Sequence, residues 1–221
     1  MLGEQPERPS RPVAGRSRGR CVAVVLCALL SGAAPTAAHQ QAPSSRRPSP
    51  PHTRGAFLPV IGLAPDFTLT SQAGRPVHLA DLRGRVVLLD FFYASCPDVC
   101  PLITGRMTAL QRRLKRQGLL GRKVVLLSAT LDPIRDTHET LRRYARASRA
   151  EPGGWFFLRG SATEMGSFLR GYDVWVKPQP DGSFDHSMRI YLIDREGRIR
   201  EIYNYNFFSV EQALLDIQSL L

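Results

Sequence analysis

The chain is short of cysteine, has no internal repeat, and carries far fewer acidic than basic side chains. Of its four cysteines, Cys21 and Cys27 lie in an apolar N-terminal run, which leaves Cys96 and Cys100 as the only thiols of the remaining sequence. A thiolate-built zinc site needs a second cysteine pair, and the chain has none. The shortage of acid is uneven: the first 55 residues hold eight Arg and two Glu, and the rest carry 22 basic against 17 acidic side chains. More than half of the +11 formal charge therefore lies outside the probable fold. Aromatic residues do not interleave with the basic stretches at Arg112, Arg113, Lys115 and Arg116, or at Arg142, Arg143, Arg146 and Arg149. These stretches read as solvated helix faces, and no nucleic-acid partner is expected.

Residues 1–20 are polar with five Arg, followed by CVAVVLCALL at 21–30 and SGAAPTAA at 31–38. This is the layout of a signal peptide or an N-terminal membrane anchor, assigned to residues 1–38. Thr36 and Ala38 suit cleavage after Ala38; the 18 residues from Cys21 to Ala38 also reach the lower end of spanning length, with Gly32 and Pro35 weakening the second half. Cys27 follows the bulky Leu26, which argues against lipid attachment. The Arg-rich flank stays cytoplasmic under the positive-inside tendency, so the rest of the chain is expected to be exported. Its expected place is the periplasm or the outward-facing side of the cell membrane, with membrane association through the apolar segment if that segment is retained. Residues 39–56 are rich in Pro, Ser and Arg and read as a flexible linker, in which His39 and His52 are solvated.

The domain is expected over 57–221. Two short alternating strands around Gln72-Ala73-Gly74 predict a hairpin lid. Arg85 to Phe92 is a continuous apolar run suited to a central strand covered on both faces. Leu102, Ile103, Met107, Leu110 and Leu114 fall at helical spacing from Leu102 to Gln117, with Pro101 suited to a first turn and Gly118 to a left-handed cap. CPDVC is then a tight turn ahead of that helix. The order continues as strand 124–130, helix 135–147, strand 155–158, helix 162–170, a loop, strand 187–193, a turn at Arg195-Glu196-Gly197, strand 198–203 and helix 209–220. Two αβ repeats, a hairpin and a last helix predict an α/β, thioredoxin-like fold: a mixed central sheet flanked by helices, with an N-terminal β-hairpin extension.

Two thiols where a strand hands over to a helix face unsatisfied N–H groups and the positive end of the helix, which favours thiolate. With Pro97, Asp98 and Val99 between them, the Cα atoms fall within the roughly 4.4–6.8 Å a disulfide needs, and both sulfurs could face one ion. Spacing alone does not choose. A structural disulfide across so small a loop stabilises little. Redox dithiols of this topology usually carry Cys-x-x-Cys, with a proline opening the later hairpin strand; here Asp185 and His186 precede that strand. The topology puts the start of this strand beside the cysteine turn, so His186 approaches Cys96 and Cys100. Two thiolates and an imidazole make a soft set suited to Cu(I), and one more oxygen or nitrogen ligand would extend it to Cu(II). Asp185 is a candidate to orient the ring from behind, or else a turn residue.

With these residues in view, the sequence resembles the Sco/SenC family of copper chaperones for cytochrome c oxidase assembly. The resemblance runs from about Leu58 to the C-terminus. It rests on LPVIGLAPDFTLTSQAGRPVHLADLRGRVVLLDFFYASCPDVCP, on TLDPIRDT at 130–137 and on FDHSMRIYLIDREG at 184–197. It implies copper held by Cys96, Cys100 and His186. It also implies delivery toward the binuclear copper centre of the oxidase, or reduction of that centre's cysteines. The implied partners are the copper-centre subunit or another copper acceptor, and a thiol reductant. Asp98, Asp132, Arg135 and Asp136 match polar positions of the family, where capping or loop hydrogen bonds would also account for Asp132 and Asp136. Ser95 and His138 depart from the family's common residues, and His138 reads as a surface residue. His78, on the early hairpin, is a poorer ligand candidate than His186. A peroxiredoxin would need Thr and Pro where this chain has Tyr93 and Leu89. Two rivals stay open: an extracytoplasmic thiol-disulfide oxidoreductase using Cys96 and Cys100, and a copper sensor module that hands copper to no acceptor.

Overall fold

The apolar run Val86–Phe92 forms strand β4, and the run Val124–Thr130 forms β5; every residue of both is buried. They pair in parallel from Val86 opposite Val124 to Phe92 opposite Thr130. The computed structural model describes residues 57–221, so the signal-or-anchor segment 1–38 and the linker 39–56 lie outside the described residues. Trp155–Arg159 (β6) pairs in parallel on the far side of β5. Helix α1 (Val99–Arg116) connects β4 to β5, and α2 (His138–Ala147) connects β5 to β6. These are the crossovers that parallel strands require.

Antiparallel strands extend both flanks. Arg189–Ile193 (β9) joins β4, Arg198–Asn204 (β10) joins β9, and the short Gly62–Leu63 (β1) closes that edge. On the other flank Thr68–Ser71 (β2) pairs with β6 and with Pro76–His78 (β3). The early hairpin expected as a lid therefore extends the sheet edge, because β2 finds backbone partners in β6. Ala162–Gly171 (α3) follows β6, and Val210–Ser219 (α4) ends the chain packed on α1. This is the mixed sheet of thioredoxin type expected from the element order.

Three local differences matter for the site. The helix after the cysteines begins at Val99, so Cys100 lies in its first turn instead of ahead of it. Ile103, Met107, Leu110 and Leu114 form its buried stripe, whereas Leu102 is 67% exposed. Second, α2 begins at His138 rather than 135, because the Asp136 N–H donates to the Asp132 carbonyl in a turn and Thr137 caps the helix through Thr140 N–H. Third, the segment expected as a loop before β9 contains its own two-stranded sheet, Val176–Pro178 (β7) against Phe184–His186 (β8). Gly118 closes α1 with φ +68°, a conformation glycine adopts without steric cost.

Candidate metal and redox site

The cysteine turn hangs from the end of β4. The Cys96 N–H donates to the Tyr93 carbonyl at 3.1 Å, and the Ala94 N–H donates to the Asp136 carboxylate at 3.1 Å. Asp136, from the TLDPIRDT segment, also accepts from the Thr130 hydroxyl, and burial pushes its carboxyl above the usual range. Asp132 in the same segment accepts from both the backbone and the side chain of Arg135. The polar cluster thus ties the turn after β5 to the cysteine turn through hydrogen bonds.

The two thiols are unequal. Cys96 is half-buried and Cys100 is 1% exposed. The Cys100 N–H points at Cys96 Sγ over 3.4 Å, as the opening turn of α1 requires. The Cys100 thiol, the N–H groups of Cys100 and Asp98 and the Tyr93 hydroxyl together outweigh burial and lower the Cys96 thiol to about 5. Cys100 moves the other way: its proton is held between the two sulfurs, and burial adds to the cost of its anion. Asp90, on β4, is a buried carboxyl that the sequence reading did not single out. Burial raises it to about 7 even though Ser128 donates to it, and its proximity further disfavours ionising Cys100.

The imidazole arrives on the small β7–β8 sheet, with His186 opposite Val176. His186 is 6% exposed, and its Nδ1–H donates to the Ser187 carbonyl at 2.9 Å. That bond puts a proton on Nδ1 and leaves Nε2 as the nitrogen that could meet an ion. Tyr93 and Tyr205 stand edge-on to the ring, each with centroids 6.2 Å away. Tyr93 also holds the hairpin: its hydroxyl accepts the Phe184 N–H at 3.3 Å and its ring meets Phe184 at 5.1 Å. Arg135 closes the arrangement, donating to the Gly182 carbonyl at 2.7 Å with its guanidinium 5.1 Å from the Phe184 ring centroid.

A cleft of about 260 Å³ opens between the two halves, bordered by Cys96, Asp98, Asp185, His186 and Met188. Cys100 lies behind Cys96. The donors fit a soft ion in chemistry: a thiol with lowered pKa, a second thiol bonded to it and an imidazole whose Nδ1 is engaged by the Ser187 carbonyl. Among the described residues, no group of three or more His, Cys, Asp or Glu side chains forms a ready-made metal cage. Cys96 and His186 border one cleft, and Cys100 does not line it. Asp98 and Asp185 are exposed at the rim, and the Ser187 carbonyl, not the Asp185 carboxylate, bonds Nδ1 of the ring. His138 is half-buried rather than on the surface, with Nε2 lacking a partner. His78 bonds Thr68 at 2.7 Å on the far sheet edge. A larger groove of about 650 Å³ along α1 and α2 has no cysteine or histidine in its lining, so size does not mark the site.

A family model described as SCO1/SenC matches residues 61–221. The SCO1 protein homolog of Bacillus subtilis is 33% identical over 141 residues, covering 62% of this chain and 72% of that protein. The mitochondrial SCO2 homolog of Bos taurus is 34% identical over 144 residues, covering 63% of this chain and 53% of that protein. The match thus spans about half the length of that mitochondrial relative. Among solved structures, Bradyrhizobium japonicum ScoI with copper bound superposes with TM-score 0.62 at 31% identity, covering 72% of this chain and 99% of that one. BsSco, described as a Sco-family cytochrome c oxidase assembly protein with a disulfide switch, superposes with TM-score 0.64 at 28% identity. The coverage is 73% of this chain and 95% of that chain.

Proposed function

The chain belongs to the SCO1/SenC family, and from that premise we propose that it is an exported copper chaperone whose 57–221 domain carries Cu(I) on Cys96, Cys100 and His186. The acceptor is the binuclear copper centre of cytochrome c oxidase. The observation that carries this reading is the shared cleft: a half-buried thiol of low pKa faces an imidazole whose Nδ1–H is already engaged, so both present lone pairs to the same space. Copper-bound and oxidase-assembly relatives support it. Transfer proceeds by ligand exchange, in which acceptor thiolates displace the chain's sulfurs one at a time; the half-buried position of Cys96 lets an acceptor reach the ion. Loading requires the reduced dithiol, so metal content and redox state are linked. Residues 1–38 direct or anchor the domain outside the cytoplasm, and 39–56 tether it.

The inequality of the thiols favours a second reading, reduction of the acceptor's disulfide. The Cys96 thiolate attacks one sulfur and releases the other as thiolate. Cys100 then displaces the mixed disulfide, yielding a Cys96–Cys100 disulfide and a reduced acceptor dithiol that takes the Cys100 proton. One series of proteins separates the readings. The reduced chain is expected to bind near-equimolar Cu(I), the Cys96→Ser, Cys100→Ser double variant none, and His186→Ala to lose copper retention and oxidase assembly together. Assembly that persists in a copper-free His186→Ala protein would overturn delivery in favour of reduction.

A further inference from the structure

Resting on the copper reading above, we propose that Met188 is a copper ligand of the open cleft, forming with Cys96 and His186 a Cys–His–Met set that receives Cu(I) before Cys100 is engaged. The argument starts from which donors the cleft contains. Cys96, His186 and Met188 border it, whereas Cys100 does not and is 1% exposed beneath Cys96. An ion arriving from solvent therefore meets a thiol, an imidazole and a thioether first. Thioether sulfur is a soft donor that suits Cu(I) and discriminates against harder ions.

Met188 lies on the link between β8, which ends at His186, and β9, which begins at Arg189, and both His186 and Met188 border the cleft. Between them, the Ser187 hydroxyl accepts the Trp175 N–H at 3.1 Å and so is already engaged. The Met188 carbonyl is pinned by the Tyr205 N–H at 3.2 Å, so the backbone under the thioether is held in place. Met107 and Met165 are core residues at 0% and 1% exposure, whereas Met188 is half-buried. Met188 packs against the core as well, but unlike Met107 and Met165 it also borders the cleft.

Full-length protein labelled with selenomethionine tests this. In a reduced Cys100→Ser variant loaded with Cu(I), copper-edge X-ray absorption is expected to show a copper–selenium neighbour. The added substitution Met188→Leu, which keeps volume and apolarity, is expected to remove that neighbour. Cu(I) retention against a competing chelator should also weaken roughly tenfold, the lower end of what a supporting group contributes to a metal site. A purely packing role predicts no selenium at copper and no change in retention with leucine. Either result overturns the proposal, as does a Cys100→Ser protein that keeps no copper while the wild-type chain loads normally. If the wild-type chain itself takes up no near-equimolar Cu(I), the chaperone reading fails first and this one with it.

Discussion

The two halves of the site are built differently. Cys96 sits between a strand whose seven residues are all buried and an 18-residue helix packed on α4, and Cys100 lies in the first turn of that helix, so the sulfur side is built into the core. His186 sits on a separate sheet of two three-residue strands, held by Tyr93, Arg135 and the Ser187–Trp175 bonds. Two short strands are marginal by themselves and depend on such ties. The cysteine side is thus part of the main sheet and its helix, whereas the histidine side depends on a few side-chain ties.

The sharpest way to break the comparison is to truncate one aromatic residue in each half. Phe92 is 1% exposed and packs against Tyr144 and Phe157, with centroids 4.8 and 5.3 Å away. Phe92→Ala is expected to cost about 3–5 kcal/mol in urea unfolding, taking the cysteine turn with it. Phe184 is half-buried, and Phe184→Ala should cost about 1 kcal/mol, within the ordinary range for a point substitution. It should nevertheless raise amide exchange across Val176–His186. Equal losses of stability would mean that the hairpin belongs to the core after all.

A smaller effect is expected at the junction of the cysteine turn and the TLDPIRDT segment. Asp136→Ala removes the acceptor of the Ala94 N–H and the Thr130 hydroxyl, and leaving these groups unpaired should cost about 2–3 kcal/mol. Asp136→Asn keeps an acceptor and should recover much of that. No difference between the two variants in urea unfolding would rule out a hydrogen-bonding role for Asp136.

The same division explains what could be read from sequence. Val124–Thr130 was delimited to the residue, and the β4 run needed only its first residue trimmed, because a strand buried on both faces is written as an unbroken apolar run. The hairpin left no such trace: Lys177, Pro178 and Asp185 interrupt any alternation, and Pro178 argues against a strand. The cysteines announced themselves by spacing, and His186 by its place before a strand. The Ser187 carbonyl that sets the ring's tautomer had no signature, since every residue carries a carbonyl. Tyr93 carries no sequence signal of its role, because its hydroxyl acts on a hairpin 91 residues away in sequence.

The smallest expected effect falls on Tyr93, the residue that touches both halves. Tyr93→Phe keeps the ring against Phe184 but deletes a hydroxyl that accepts the Phe184 N–H and helps to hold the Cys96 thiolate. With the Cys96 thiol at about 5, alkylation of Cys96 by iodoacetamide should be nearly independent of pH over the neutral range, because the thiolate is already formed. An ordinary thiol, titrating near about 8.5, would instead react about tenfold faster for each unit of rising pH. The Tyr93→Phe midpoint should move upward from about 5 while staying below that ordinary value, because the Cys100 thiol and the backbone N–H groups remain as donors. Stability should fall by about 1 kcal/mol, the usual worth of one hydrogen bond. An unmoved midpoint would mean that the sulfur half owes nothing to the hairpin side, and the two halves would then be chemically independent as well as structurally distinct.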